Sequence, residues 1–308
     1  MSTLKQRFLL VSDMHYTVEE DAEQFKRIHP ESNASVGSGD AFGRTQREKI
    51  EKIYDDIIAE NQRSKLDAVF VLGDLSLDDY DLRNLPENYC RKFKNDCLDR
   101  LPCPSYALPG NHDSYPSHMW KEVFGYDREY AVEIDGTVFV MLDTFKALPA
   151  KGGCGAKHTQ IDYDFLKSAL DKYKGKKIFL CAHYFDTRGE NNKTFTDAVR
   201  ELIKDNGDIV FMYRGHTHIN SVTDMGDAYG GKRVIDIGGY GYEGMVIDGK
   251  YNFSMFDFKW AWGYQIIEVY DEFIKTYHIK TDTHYVAGNG NFDVKETVEG
   301  ETVFECKK

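Results

Sequence analysis

The sequence predicts an α/β protein whose sheets are mixed, and three observations carry that reading. Short apolar runs alternate with longer amphipathic stretches through roughly the first 215 residues, the pattern of strands interleaved with helices. Beyond them, strand-like segments follow one another across Gly- and Asp-containing turns. Asp135-Gly136 joins Tyr130–Ile134 to Thr137–Leu142, a two-residue hairpin signal. Antiparallel pairs therefore accompany the parallel crossovers.

Taken in order, Arg7–Ser12, Ala68–Leu72, Ser105–Leu108, Lys177–Cys181 and Asp208–Tyr213 are short and rich in Val, Ile, Leu or Phe, as buried strands are. Between them, Thr45–Asn61 carries Ile50, Ile53, Tyr54, Ile57 and Ile58 at helical spacing. Thr159–Tyr173 opens on an N-capping threonine and places Ile161, Phe165, Leu166 and Ala169 on one face. Thr194–Lys204 is a further short helix. Lys232–Ile237, Asn252–Phe258, Tyr264–Val269 and Phe273–Lys280 are expected strands. The polar stretch Thr17–Arg44, with Gly37, Gly39 and Gly43, is expected to be a loop of a length that is usually functional or disordered. The chain shows no repeat or low-complexity linker, so residues 1–285 are expected to form one domain. Residues 286–308 are read as a C-terminal tail or peripheral hairpin.

Composition narrows the function. In 308 residues, 39 Lys+Arg face 51 Asp+Glu for a net charge of −12, and 41% of residues are hydrophobic, as in soluble globular chains. No run approaches the roughly 20 apolar residues that a bilayer demands. The apolar stretch Phe8–Val11 leads straight into Asp13, as a buried strand and not a signal peptide, so a cytoplasmic protein is expected. Cys90, Cys97, Cys103, Cys154, Cys181 and Cys306 form no C-x-x-C pair and are expected to be reduced thiols. An acidic chain without a Lys/Arg-dense stripe argues against nucleic acid as a partner. It leaves a small phosphorylated substrate open, provided metal ions supply the positive charge.

Five segments place Asp, His or Asn directly after an expected strand: Asp13-Met14-His15, Gly73-Asp74, Gly110-Asn111-His112-Asp113, His183, and Gly215-His216-Thr217-His218. Strand ends on one edge of an α/β sheet converge on one crevice. Asp13, Asp74, Asn111 and the imidazoles of His15, His183, His216 and His218 are oxygen and nitrogen donors without a thiolate, a set suited to Mn, Fe, Zn, Ni or Co. Seven donors exceed the needs of one ion but serve two that share a carboxylate. The D-x-H and H-x-H spacings suggest extended segments, in which residues i and i+2 point the same way.

The order D-x-H, G-D, G-N-H-D, H, G-H-T-H resembles the calcineurin-like metallophosphoesterase superfamily from Asp13 to His218. The resemblance implies a calcineurin-like two-sheet mixed β-sandwich flanked by helices, four layers in αββα order, with a binuclear centre at the strand ends. It implies that Asp13, His15 and His218 hold one divalent ion, that Asn111, His183 and His216 hold the other, and that Asp74 bridges them. A water or hydroxide between the ions would attack phosphorus in line, with His112 as general acid. The implied activity is phosphoric ester hydrolysis, with a nucleotide-type phosphodiester as the expected substrate. A phosphomonoesterase is the alternative, followed by a nuclease or a non-catalytic metal-binding scaffold.

Two departures stand out. Leu77 occupies the position where many members carry a second Asp, so Asp113 is expected to support His112. Tyr184 stands where many relatives follow the second-site His with another, and is a candidate substrate contact. Arg44 and Arg188 are candidate clamps for a substrate phosphate, and Arg214 is weighed as either a clamp or an ion-pair partner. The aromatic run Tyr240, Tyr242, Tyr251, Phe253, Phe256, Phe258, Trp260 and Trp262 is expected to pack in the core.

Overall fold

The computed structural model describes residues 2–16, 34–35, 46–76, 89–147, 156–187, 194–240, 245–247, 250–252, 262–282, 284–287, 290–293 and 302–305. Two six-stranded sheets dominate it. The first runs in the order β17 (Thr302–Glu305), β14 (Phe273–Asp282), β13 (Trp262–Tyr270), β1 (Leu4–Val11), β3 (Ala68–Leu72) and β4 (Ser105–Leu108). The second runs β5 (Tyr130–Ile134), β6 (Thr137–Leu142), β7 (Lys177–Ala182), β8 (Ile209–Arg214), β10 (Arg233–Ile237) and β9 (Asn220–Asp224). Both are mixed: β1, β3 and β4 are parallel neighbours, as are β6, β7, β8 and β10, while β13, β14, β17, β5 and β9 pair antiparallel. A small sheet joins β12 (Lys250–Asn252), β11 (Met245–Ile247) and β2 (Ala34–Ser35), and β15 (His284–Ala287) pairs with β16 (Gly290–Asp293).

Near-continuous apolar runs build the centre, because strands covered on both faces need apolar side chains throughout. Phe8, Leu10, Phe70, Leu72 and Leu108 of the first sheet meet Phe139, Met141, Phe179, Phe211 and Ile235 of the second. The Phe70 and Phe139 rings stack across the interface with centroids 3.8 Å apart, and Phe8 meets Phe139 edge-on at 4.8 Å.

Helices cover the outer faces. Ile50, Ile53 and Ile57 of α1 (Gln46–Arg63), Cys90 and Phe93 of α2 (Tyr89–Asp96), and Trp120, Val123 and Phe124 of α3 (Ser117–Phe124) pack with Leu9, Val11, Val69 and Val71 on the first sheet. Leu166, Ala169 and Leu170 of α4 (Tyr163–Lys172) and Val199 and Ile203 of α5 (Asp197–Lys204) pack with Val138, Val140, Ile178 and Leu180 on the second. The four-layer αββα order follows. Among the described residues no helix is long and apolar enough to cross a membrane.

The hairpin boundaries match the sequence reading, whereas helix starts move. Asp162, not Thr159, caps α4 by accepting from Phe165 N–H at 3.0 Å, and Thr196 caps α5. Of the expected strand Asn252–Phe258, Asn252 closes β12, and residues 253–258 lie outside the described residues. Of the aromatic run, Tyr240 is buried in the core. The side chains of Tyr242, Tyr251, Phe253, Phe256, Phe258, Trp260 and Trp262 fall outside the description.

Candidate metal centre

The five motif segments lie at the C-terminal ends of β1, β3 and β4 in one sheet and β7 and β8 in the other. The parallel pairing continues past the strands: Asp13 N–H donates to Gly73 O, His15 N–H to Asp74 O, and Gly215 N–H to His183 O. Loops thus leave both sheets side by side, and Asp13, His15, Asp74, Asn111, His112, His183, His216 and His218 meet in one crevice.

Five of the seven ligand-type residues sit at kinks. Asp13, His15, Asp74, His216 and His218 all have φ between +47° and +66°, a left-handed conformation that costs non-glycine residues about 1–2 kcal/mol each. The extended D-x-H geometry expected from the sequence is therefore corrected. The segments gather their side chains by turning at five of the seven ligand-type residues, all but Asn111 and His183, and backbone strain of this kind concentrates at functional sites. Glycines make the close approach possible. A Cβ on Gly215 would lie 1.8 Å from Ser12 Oγ, and one on Gly110 would lie 2.1 Å from Asp74 Oδ1.

The donor atoms fall into overlapping groups whose members lie within 4.8 Å of one another: Asp13, His15 and His218; Asp74, His183 and His216; and His15, Asp74 and His112. Asp13 Oδ1 is buried without a hydrogen-bond donor, yet three imidazole nitrogens approach it, His218 Nε2 at 3.1 Å, His15 Nε2 at 3.8 Å and His183 Nε2 at 3.9 Å. Asp74 Oδ2 lies 3.2 Å from His183 Nε2 and 3.9 Å from His15 Nε2. Asn111 Oδ1 joins the second group 3.1 Å from His183 Nε2. Imidazole nitrogens also face each other, His15 against His218 at 3.5 Å and His183 against His216 at 3.2 Å. Buried nitrogen and carboxylate lone pairs converging in this way fit divalent cations.

Second contacts orient these groups. His183 Nδ1 is 2.7 Å from Leu72 O, which makes Nδ1–H the donor and turns Nε2 into the crevice. Burial opposes a charged His183, but Asp74 and Asp13 outweigh it and push its pKa up to about 9. Burial and neighbouring His183 push His216 down to about 3, and burial carries His15 well below its ordinary value. Burial works against ionised Asp13, but His218 and His183 prevail and hold it at about 2.

The softer candidates separate. Asp113 is fully buried and accepts from Leu75 N–H at 3.1 Å, Gly110 N–H at 2.8 Å, Ser76 N–H at 3.1 Å and Ser76 Oγ at 3.2 Å. These bonds make it the anchor of the loop carrying Asp74, a role the sequence reading missed. Tyr184 is half-buried, its ring 4.9 Å from that of His216. Arg214 is buried and paired with Asp236 at 2.5 and 3.0 Å, the ion-pair role and not the clamp. Arg44, Arg188 and Leu77 lie outside the described residues. Sequence reading also missed Phe145, whose ring lies 5.5 Å from His183 and 5.6 Å from His216. An isolated Phe after a strand carries no motif signal.

Comparison with known proteins agrees with this geometry. No curated protein matches the chain by sequence. In structure it is similar to a dimetal phosphatase from Danio rerio, with a TM-score of 0.58 and 12% identity over 90% of this chain and 97% of that one. It is also similar to a purple acid phosphatase from yellow lupin (Lupinus luteus) seeds, with a TM-score of 0.50 and 12% identity over 91% of this chain and 52% of that one. At these identities the likeness shows the fold. The family model for calcineurin-like phosphoesterases matches residues 6–220, a span that holds every one of the converging residues. The chain belongs to the calcineurin-like phosphoesterase family and is a metallophosphoesterase that uses two divalent metal ions.

Proposed function

We propose that the protein is a phosphodiesterase acting on a small nucleotide-type phosphodiester. One observation carries the choice of diester: among the described residues the buried arginines are already paired with carboxylates, Arg214 with Asp236, Arg128 with Asp143 at 2.6 Å and Arg7 with Glu60. A phosphomonoester dianion needs more compensating charge than a diester, which bears one negative charge. Tyr184, half-buried with its ring 4.9 Å from that of His216, is aromatic and suits the apolar or ring portion of an ester substituent.

In this proposal Asp13, His15 and His218 hold one ion, Asn111, His183 and His216 hold the second, and Asp74 contributes to both. When bound, the two ions supply Lewis-acid charge and an activated water. His112 is the proton donor to the leaving oxygen. Its backbone N–H donates to Asp74 Oδ1 at 2.8 Å, and its ring meets that of His15 edge-on at 5.4 Å, which sets the imidazole beside the donor cluster. Tyr184, Arg44 and Arg188 are proposed to contact the substrate.

The test is hydrolysis of bis-p-nitrophenyl phosphate beside p-nitrophenyl phosphate, on chelator-stripped protein with Mn²⁺, Ni²⁺, Zn²⁺ or Fe²⁺ restored. Metal-dependent preference for the diester supports the proposal. Preference for the monoester replaces it with phosphomonoesterase activity, and bound metal without turnover of either would favour a scaffold.

A further inference from the structure

We propose that Asp236 is the positioning residue of the metal centre, acting on the His183, His216 and His218 segments together. The inference rests on the assignment of those histidines as ligands. Asp236 lies on β10, outside every ligand-bearing loop, in a row that crosses the second sheet. Ala182 on β7 pairs with Arg214 on β8, Arg214 with Asp236, and Asp236 with Ser221 on β9. In-register neighbours share a face, and here the polar groups of Arg214, Asp236 and Ser221 close into one knot around the buried carboxylate.

Asp236 is fully buried and both its oxygens are saturated. Oδ1 accepts from Arg214 Nε at 2.5 Å and Thr217 Oγ1 at 2.7 Å, and Oδ2 from Arg214 Nη2 at 3.0 Å and Ser221 Oγ at 2.7 Å. Thr217 is the residue between His216 and His218, so this carboxylate grips the centre of the H-x-H turn. Arg214 extends the grip, because its Nη1 donates to Phe185 O and its guanidinium lies 5.3 Å over the Tyr184 ring. Those two residues directly follow His183. One carboxylate thus ties to β10 the two loops that carry His183, His216 and His218. His216 and His218 are held at φ of +66° and +55°, and a turn of that kind persists only when its surroundings over-determine it.

Loss of an outer contact that orients a metal ligand typically lowers metal affinity 10–100-fold. Asp236→Asn retains shape and one acceptor oxygen but removes the charge that organises Arg214. Thr217→Val deletes only the hydroxyl that reaches Asp236, and guards against an Asp236 variant that fails to fold. Mn²⁺ binding is measured by calorimetry on chelator-stripped protein, Co²⁺ visible absorption reports ligand geometry, and His216→Ala serves as the reference for ligand loss. The expected result is a 10–100-fold weaker Mn²⁺ affinity for Asp236→Asn and a 3–10-fold weaker one for Thr217→Val. Both should alter the Co²⁺ spectrum, and kcat at saturating metal should fall far less than affinity does. If His216→Ala loses an ion while a folded Asp236→Asn and Thr217→Val bind as the parent does, the positioning role is overturned and the ligand assignment stands. If His216→Ala also binds two ions as the parent does, the ligand assignment itself fails.

Discussion

The backbone N–H of His216 donates to Asp13 Oδ2 across 2.9 Å, joining the loop after β8 of one sheet to the loop after β1 of the other. The same device recurs where His112 N–H donates to Asp74 Oδ1 at 2.8 Å. Each aspartate uses one oxygen to hold the backbone of a histidine-bearing loop and turns the other toward imidazole nitrogens. The carboxylates are structural staples and candidate metal ligands at once, so the two sheets and the centre between them form a single construction.

That dual use makes Gly215 irreplaceable. An alanine Cβ would stand 1.8 Å from Ser12 Oγ and 2.7 Å from Asp13 Oδ2, and Ser12 Oγ is itself fixed to Leu72 O at 2.9 Å. Gly215→Ala is expected to lower thermal stability by about 1–3 kcal/mol, the usual cost of overpacking, and to reduce bound metal. Melting curves and elemental analysis of the purified variant check this. Parent-like metal content and activity would show that the loops are not bound to this spacing.

Much of this construction was legible in the sequence, for reasons tied to particular residues. Phe8, Phe70, Phe139 and Phe179 lie on strands covered on both faces, so their apolar runs announced themselves without alternation. Asp135-Gly136 fixed the hairpin, with Asp135 at φ +43°. The donor residues were visible because each follows such a run. Helices α2 and α3 escaped notice, since eight residues with three buried side chains each give little periodicity to detect. Asp236 escaped it entirely, and the G-N-H-D motif marks Asp113 without revealing its hold on the Asp74 loop. Their importance lies in partners distant in sequence, Arg214 and Thr217 for one, Leu75 and Ser76 for the other, and no local motif encodes such a pairing.

Asp113 offers a direct test of its reassigned role. Asp113→Ala would strand the buried donors Gly110 N–H, Leu75 N–H and Ser76 N–H, each at about 1–3 kcal/mol if unpaired. Asp113→Asn keeps an acceptor and is expected to be the milder change. Denaturant unfolding of both variants should rank them in that order. A parent-like Asp113→Ala would mean that the Asp74 loop is held by other contacts.

His112→Ala separates proton donation from metal holding. Esters with poor leaving groups need a proton in the transition state, and loss of a general acid typically costs 10²–10⁴-fold. Activated p-nitrophenyl esters depart without that help. The variant is expected to lose alkyl ester hydrolysis by about that range and p-nitrophenyl ester hydrolysis by less than about tenfold, with metal content nearly intact. Equal losses for both classes would remove His112 from the proton-donor role.

The metal-free site should respond to pH in opposite senses for folding and for metal binding. Burial disfavours charge on His183, but Asp74 and Asp13 raise its pKa from 6.5 to about 9. Between those values the folded chain holds a proton that the unfolded chain has released. Its contribution to stability is therefore full below pH 6.5 and lost as pH rises toward 9. Metal must displace that same proton, because Nε2 is the nitrogen facing the crevice, so affinity should rise about tenfold per pH unit over the same window. Melting temperatures of chelator-stripped protein should fall from pH 6.5 to 9 while Mn²⁺ affinity climbs. Calorimetry at pH 7.5 in two buffers of different ionisation enthalpy should count about one proton released from this group. Metal binding without proton release would place His183 outside the ligand set.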